Sequence, residues 1–106
     1  MSVQETIHLA VKRLVESAHP TKIILFGSHA AGQAKEESDV DLLVVEREVP
    51  SKLKEMVRLR EAVGPIGLPV DILVCSEQEL ADWGELPGSI LYWALKEGKV
   101  LYEAAH

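Results

Sequence analysis

The sequence predicts a small α/β domain with a central sheet flanked by helices. Short runs rich in Val, Ile and Leu at 22–26, 42–45 and 70–75 alternate with longer stretches whose apolar positions recur at helical spacing. Clusters of Gly, Pro and Ser punctuate them. The 106 residues suffice for one modest core but not for a second substrate domain, so residues 1–106 are read as a single domain.

Residues 2–18 place Val3, Ile7, Ala10, Val11, Leu14, Val15 and Ala18 on one helical face, with Ser2 and Glu5 spaced as a capping box. His19, Pro20 and Thr21 end that helix. A strand follows at 22–26, then a helical turn begins near Ser28 and stops around Gly32. Residues 35–38 read as a polar loop, and a strand is predicted over 39–46. Pro50 and Ser51 open a second helix with Leu53, Met56, Val57, Arg60 and Val63 on one side. The Gly- and Pro-rich stretch 64–69 breaks it, and a strand carrying Asp71 runs on to Cys75. Ser76 with Glu79 forms another capping box before a short helix. After a loop at 86–88, residues 89–97 form a final helix with Tyr92, Trp93 and Ala94 partly buried. Gly98 stops it, and 100–102 reads as a last strand.

Two aspartates, Asp39 and Asp41, fall in the second predicted strand, where acids are disfavoured. Alternation along a strand points both to one face, about 7 Å apart. Like charges so placed repel and resist desolvation, whereas a hard divalent cation prefers such oxygen ligands. Asp71 interrupts another apolar strand. If that strand pairs beside the first, three carboxylates converge, enough to hold two metal ions with a nucleoside triphosphate completing their coordination. Gly27 and Ser28 end the strand before. Gly27 lets the backbone approach an anion, and Ser28 offers an N–H, a hydroxyl and the start of a helix. Singly, each feature has a plain alternative, since Asp-x-Asp pairs cap turns and Gly-Ser pairs make them. Their conjunction carries the functional reading.

Gly27-Ser28, ten further residues, then Asp39 and Asp41, with the later Asp71, resemble the signature of the DNA polymerase beta-like nucleotidyltransferases. The spacer, the chain length and the closing stretch 96–103 resemble the minimal nucleotidyltransferase (MNT) family within it. The resemblance implies a mixed central sheet flanked by helices. It also implies Gly27 and Ser28 as the nucleotide phosphate site, and Asp39, Asp41 and Asp71 as catalytic, metal-binding acids holding two Mg2+ ions, with ATP as substrate. One position departs from the pattern: Ala31 stands where many MNT sequences have arginine, which removes a cation near the triphosphate.

The resemblance further implies a function. Small MNT proteins are similar to the antitoxins of MNT/HEPN toxin–antitoxin pairs, in which AMP is moved from ATP onto a tyrosine of a HEPN ribonuclease toxin. Two alternatives stand beside that expectation. One is an antitoxin that neutralises its partner by contact alone. The other is a nucleotidyltransferase acting on a small molecule such as an aminoglycoside, which the lack of a second domain disfavours.

The formal charge of −6 argues against a broad nucleic-acid surface. A lone Cys75 on an apolar strand is read as packing and cannot form an internal disulfide, which suits a reducing cytoplasm. No apolar run reaches the length of a membrane span and no signal-peptide pattern opens the chain, so a cytoplasmic location is expected. His8, His19, His29 and His106 lack zinc-ligand spacing, and Trp83 and Trp93 are read as core or interface. The last helix carries Ile90, Leu91, Trp93 and Leu95, an apolar surface for a partner, a second copy or the sheet.

Overall fold

The structure is a computed structural model that describes residues 2–33 and 38–104. Elements follow in the order α1 (Val3–Ala18), β1 (Lys22–Phe26), α2 (Ser28–Ala31), β2 (Val40–Glu46), α3 (Lys52–Val63), β3 (Val70–Ser76), α4 (Glu77–Trp83), α5 (Ile90–Glu97) and β4 (Lys99–Glu103). Of the predicted polar loop, only Ser38 lies within the described residues, and His106 lies outside them.

Local chemistry explains the helix boundaries. The Ser2 side chain accepts from the Glu5 N–H while the Glu5 carboxylate accepts from the Ser2 N–H, and Ser76 with Glu79 repeats the device at α4. Ser51 and Ser89 cap α3 and α5 from their side chains. His19 turns into the left-handed region at the end of α1, and Pro20 lies buried behind it.

The four strands form one mixed sheet in the order β3-β2-β1-β4. β1 is antiparallel to both β2 and β4, while β2 and β3 run parallel, joined by α3. Helices cover both faces. On one face, Ile7, Ala10 and Leu14 of α1, Ala30 of α2, and Leu59 and Val63 of α3 pack on Ile23, Leu25, Leu42, Val44, Ile72 and Val74. On the other face, Ala94 of α5 with Leu80 and Leu91 covers Ile24, Leu43, Val45 and Cys75. Double coverage explains why 42–45 is a continuous apolar run rather than an alternating one. Burial of Ile7 and of Leu14 stabilises the domain by roughly 1.5–3 kcal/mol each.

Three expectations are corrected. β2 begins at Val40, so Asp39 precedes the strand instead of opening it. The Val40 N–H donates to the Pro69 carbonyl at 2.9 Å, and Pro69 has no N–H with which to extend the parallel ladder towards Asp39. On α3, the buried stripe is Leu59 and Val63 with Met56 beside them. Leu53 and Val57 lie off it and are 73% and 51% exposed. Trp93 is likewise exposed, while its neighbour Ala94 is buried.

Candidate active site

Parallel pairing of β2 with β3 puts Asp41 in register with Asp71, and antiparallel pairing with β1 puts Phe26 in register with Asp41. The three therefore share one face of the sheet, two residues before Leu43 and Leu73 of the α5-covered core. Asp41 is half-buried, while Asp71 and Asp39 are exposed. Burial, then the charges of Asp71 and Asp39, holds the Asp41 carboxyl above the usual aspartate value, and His29 pulls it the other way. Asp41 thus feels both of the other predicted acids. Among the described residues, no group of three or more His, Cys, Asp or Glu side chains is gathered so as to hold a metal ion as it stands. The donor set nonetheless fits a hard divalent cation, because carboxylates that repel one another are relieved by a positive ion.

Gly27 sits where β1 gives way to α2, with φ 75° and ψ −154°, a conformation that favours glycine. A Cβ built there would overlap Asp41 Oδ2. Ser28 is the first residue of α2, half-buried, and the turn closes through the Gly27 carbonyl accepting from the Ala31 N–H at 3.1 Å. Ala31 itself is exposed. His29 Nε2 lies 3.0 Å from the Ser38 carbonyl, which accepts from it. That contact ties α2 to the approach of β2 just ahead of Asp39.

The carboxylates open into a recess of about 260 Å3 lined by Asp41, Asp71, Phe26, Met56, Arg60 and Ile90, among others. A second recess of about 340 Å3 shares Met56, Leu73 and Ile90 with it and reaches Trp83 and Leu91. A larger apolar groove of about 480 Å3 runs between α1 and Tyr102 but holds neither Asp41 nor Asp71. Helical periodicity groups Arg60 with the apolar side of α3. The available signal is its position four residues after Met56 and eight after Lys52 on one helical stripe, and the structure sets that stripe along the recesses beside β3. Cys75 is buried, and its thiol is pushed up to about 11, chiefly by burial, which keeps it protonated at neutral pH.

Comparison with known proteins identifies the family and the fold. The family described as nucleotidyltransferase domain matches residues 5–93. The chain is 45% identical over 67 residues to the protein adenylyltransferase MntA of Thermococcus cleftensis, covering 61% of this chain and 66% of that protein. It is 43% identical over 53 residues to a Methanocaldococcus jannaschii protein provisionally named a protein adenylyltransferase, covering 50% of this chain and 52% of that protein. The matched stretches thus span about half to two thirds of the length of these relatives. Among solved structures, a toxin–antitoxin crystallised with AMP-PNP superposes with a TM-score of 0.61 at 20% identity, over 97% of this chain and 75% of that one. A Sulfolobus solfataricus protein provisionally assigned as a nucleotidyltransferase gives 0.66 at 19%, over 93% of this chain and 78% of that one. At these identities the structures show a shared fold.

Proposed function

Because the chain belongs to the nucleotidyltransferase domain family, we propose that it transfers AMP from ATP to a hydroxyl on a partner protein and acts as the antitoxin of a toxin–antitoxin pair. The observation that carries this reading is the register of Asp41 with Asp71 beside Gly27, where a Cβ would meet the Asp41 carboxylate. The relative named protein adenylyltransferase and the toxin–antitoxin structure with AMP-PNP support the donor and the class of partner. The partner in this reading is a HEPN ribonuclease toxin, and the acceptor is one of its tyrosines.

Gly27 and Ser28 receive the phosphates, with the Ser28 N–H and hydroxyl as donors and no side chain at 27 to hold the anion off. Asp39, Asp41 and Asp71 would hold two Mg2+ ions, which supply positive charge to the attacking hydroxyl and to the leaving pyrophosphate. The acceptor oxygen bonds to the α-phosphorus as the bond to the bridging oxygen breaks, and pyrophosphate departs. Asp71, exposed at the rim, takes the hydroxyl proton. The apolar walls from Phe26, Met56 and Ile90 narrow solvent access beside the carboxylates.

The experiment is co-expression with the HEPN partner in the presence of ATP and Mg2+, followed by intact-mass measurement. A gain in whole adenylate units on the partner is expected, and an unchanged partner mass sinks the reading. Contact-only neutralisation is favoured by one observation, the absence of a cation at Ala31. Replacing Asp39 and Asp41 by Asn separates the two, because neutralisation that survives without adenylylation belongs to contact alone.

A further inference from the structure

We propose that Arg60 binds an oxyanion on the acceptor side of the Asp41–Asp71 pair, and that this anion is a carboxylate carried by the acceptor beside its reacting hydroxyl. The inference rests on the nucleotidyl-transfer reading above and names a residue that selects the acceptor.

Three observations converge on it. Arg60 lines the recess with both carboxylates, yet no ion pair joins it to either among the described residues. Of the other cations of α3, Lys52 pairs with Glu79, Arg58 holds Glu55 through two hydrogen bonds of 2.7 Å while reaching Ser17, and Lys54 lines a separate recess with Glu48 and Glu55. The Arg60 guanidinium has no hydrogen-bond partner among the described residues, although its backbone carbonyl accepts from the Gly64 N–H at 3.0 Å. A recess lined by two carboxylates and a guanidinium, with no ion pair between them, leaves the first open to a cation and the second to an anion.

Strand order gives the direction. Gly27 follows β1, Asp41 lies on the central β2, and Asp71 lies on the edge strand β3, against which α3 packs. Arg60 therefore stands across the carboxylates from Gly27 and Ser28. In an in-line displacement the entering oxygen and the leaving pyrophosphate occupy opposite sides of the phosphorus. With the leaving phosphates at Gly27 and Ser28, the acceptor enters from the Arg60 side. A planar guanidinium fork fits a carboxylate there, and it fits a non-bridging oxygen of the α-phosphate by the same chemistry.

The test uses the full chain with Arg60→Ala and Arg60→Lys, and two readouts. The first is affinity for AMP-PNP with Mg2+, by calorimetry. The second is KM and kcat for ATP-dependent adenylylation of the purified partner toxin. Arg60→Ala is expected to raise the KM for the partner by about tenfold to a hundredfold, with AMP-PNP affinity and kcat within about threefold of wild type. Arg60→Lys restores only part, because it keeps the charge without the fork. A loss of AMP-PNP affinity instead assigns the anion to the nucleotide and overturns the acceptor assignment. Arg60 also sits in the last turn of α3, where any cation favours the helix end. That role alone predicts a small drop in melting temperature with both readouts unmoved, and such a result overturns the proposal. If wild type binds AMP-PNP but transfers nothing, transfer itself fails and the acceptor role falls with it. If wild type transfers and Arg60→Ala matches it in both readouts, only the Arg60 role falls.

Discussion

Gly27 packs against Asp41 so closely that a side chain at 27 would occupy the space of the Asp41 carboxylate. One glycine thus serves both backbone and site: its positive φ turns β1 into α2, and its missing Cβ leaves Asp41 in place. Gly27→Ala is expected to destabilise the fold by about 1–3 kcal/mol through backbone strain and to displace Asp41, abolishing transfer. Urea unfolding and adenylylation by intact mass, run together, check this. Wild-type stability with wild-type transfer would show that position 27 tolerates a side chain.

Asp41 is held above its usual pKa by burial and by two like charges, so the charge that serves the site is a burden on the fold. Asp41→Asn is expected to raise the melting temperature in metal-free buffer while eliminating transfer. Differential scanning fluorimetry beside the mass assay reads both, and a lower melting temperature would contradict the repulsion argument.

Removal of divalent ions follows from the same cluster. EDTA is expected to stop adenylylation, and added Mg2+ in excess to restore it. Mg2+ is also expected to raise the melting temperature of wild type but not of a chain with Asp39, Asp41 and Asp71 all changed to Asn. Transfer that persists in EDTA would remove the metal from the reading.

Away from the site, Glu46 at the end of β2 meets Glu55 of α3. Burial, a hydrogen bond to Glu55 and the charge of Glu55 push Glu46 up to about 7, while Arg58 and the same hydrogen bond pull Glu55 down to about 2. Glu46 Oε2 is buried with no hydrogen-bond partner among the described residues. As pH rises from about 4.5 through about 7, the folded protein must release a proton that the unfolded chain has already lost, so Glu46 lowers stability across that window. Glu55 acts oppositely, its contribution fading as pH falls from about 4.5 towards 2. Glu46→Gln is expected to flatten the stability profile between pH 5 and 8 and to gain about 1 kcal/mol at pH 8, a value discounted for solvent screening. Urea midpoints at the two pH values decide it.

The caps are testable more simply. Ser76→Ala removes the hydroxyl that accepts from the Glu79 N–H at 3.1 Å and leaves that donor without its cap. A loss of about 1 kcal/mol in urea unfolding is expected. Because α4 contributes Leu80 to the core beneath the second recess, the loss should appear as global rather than local unfolding.

The elements were legible because their signals are local. Capping boxes at Ser2 and Ser76, the apolar runs of β1 to β3 and the stop at Gly98 all depend on residues within a few positions of one another. The misread positions depended on distant partners. Asp39 lost its place in β2 because Pro69, thirty residues on, has no N–H to offer. Leu53 and Val57 are exposed because the crossing of α3 over the sheet, not its own periodicity, selects Met56, Leu59 and Val63 for burial.

The same division holds for the site. The sequence by itself determined the chemistry on offer: a glycine and a serine after a strand, two acids before and within the next, and a third acid in a later strand. Spacing along the chain sets which of these can share a face, since side chains alternate. Only the tertiary structure decided that β3 lies parallel to β2, which brings Asp71 into register with Asp41, and that Gly27 backs directly onto Asp41. It alone also brought Arg60 to the recess. Strand pairing and helix crossing are set by long-range burial of apolar surface, which places residues far apart in the chain beside one another without leaving a local mark.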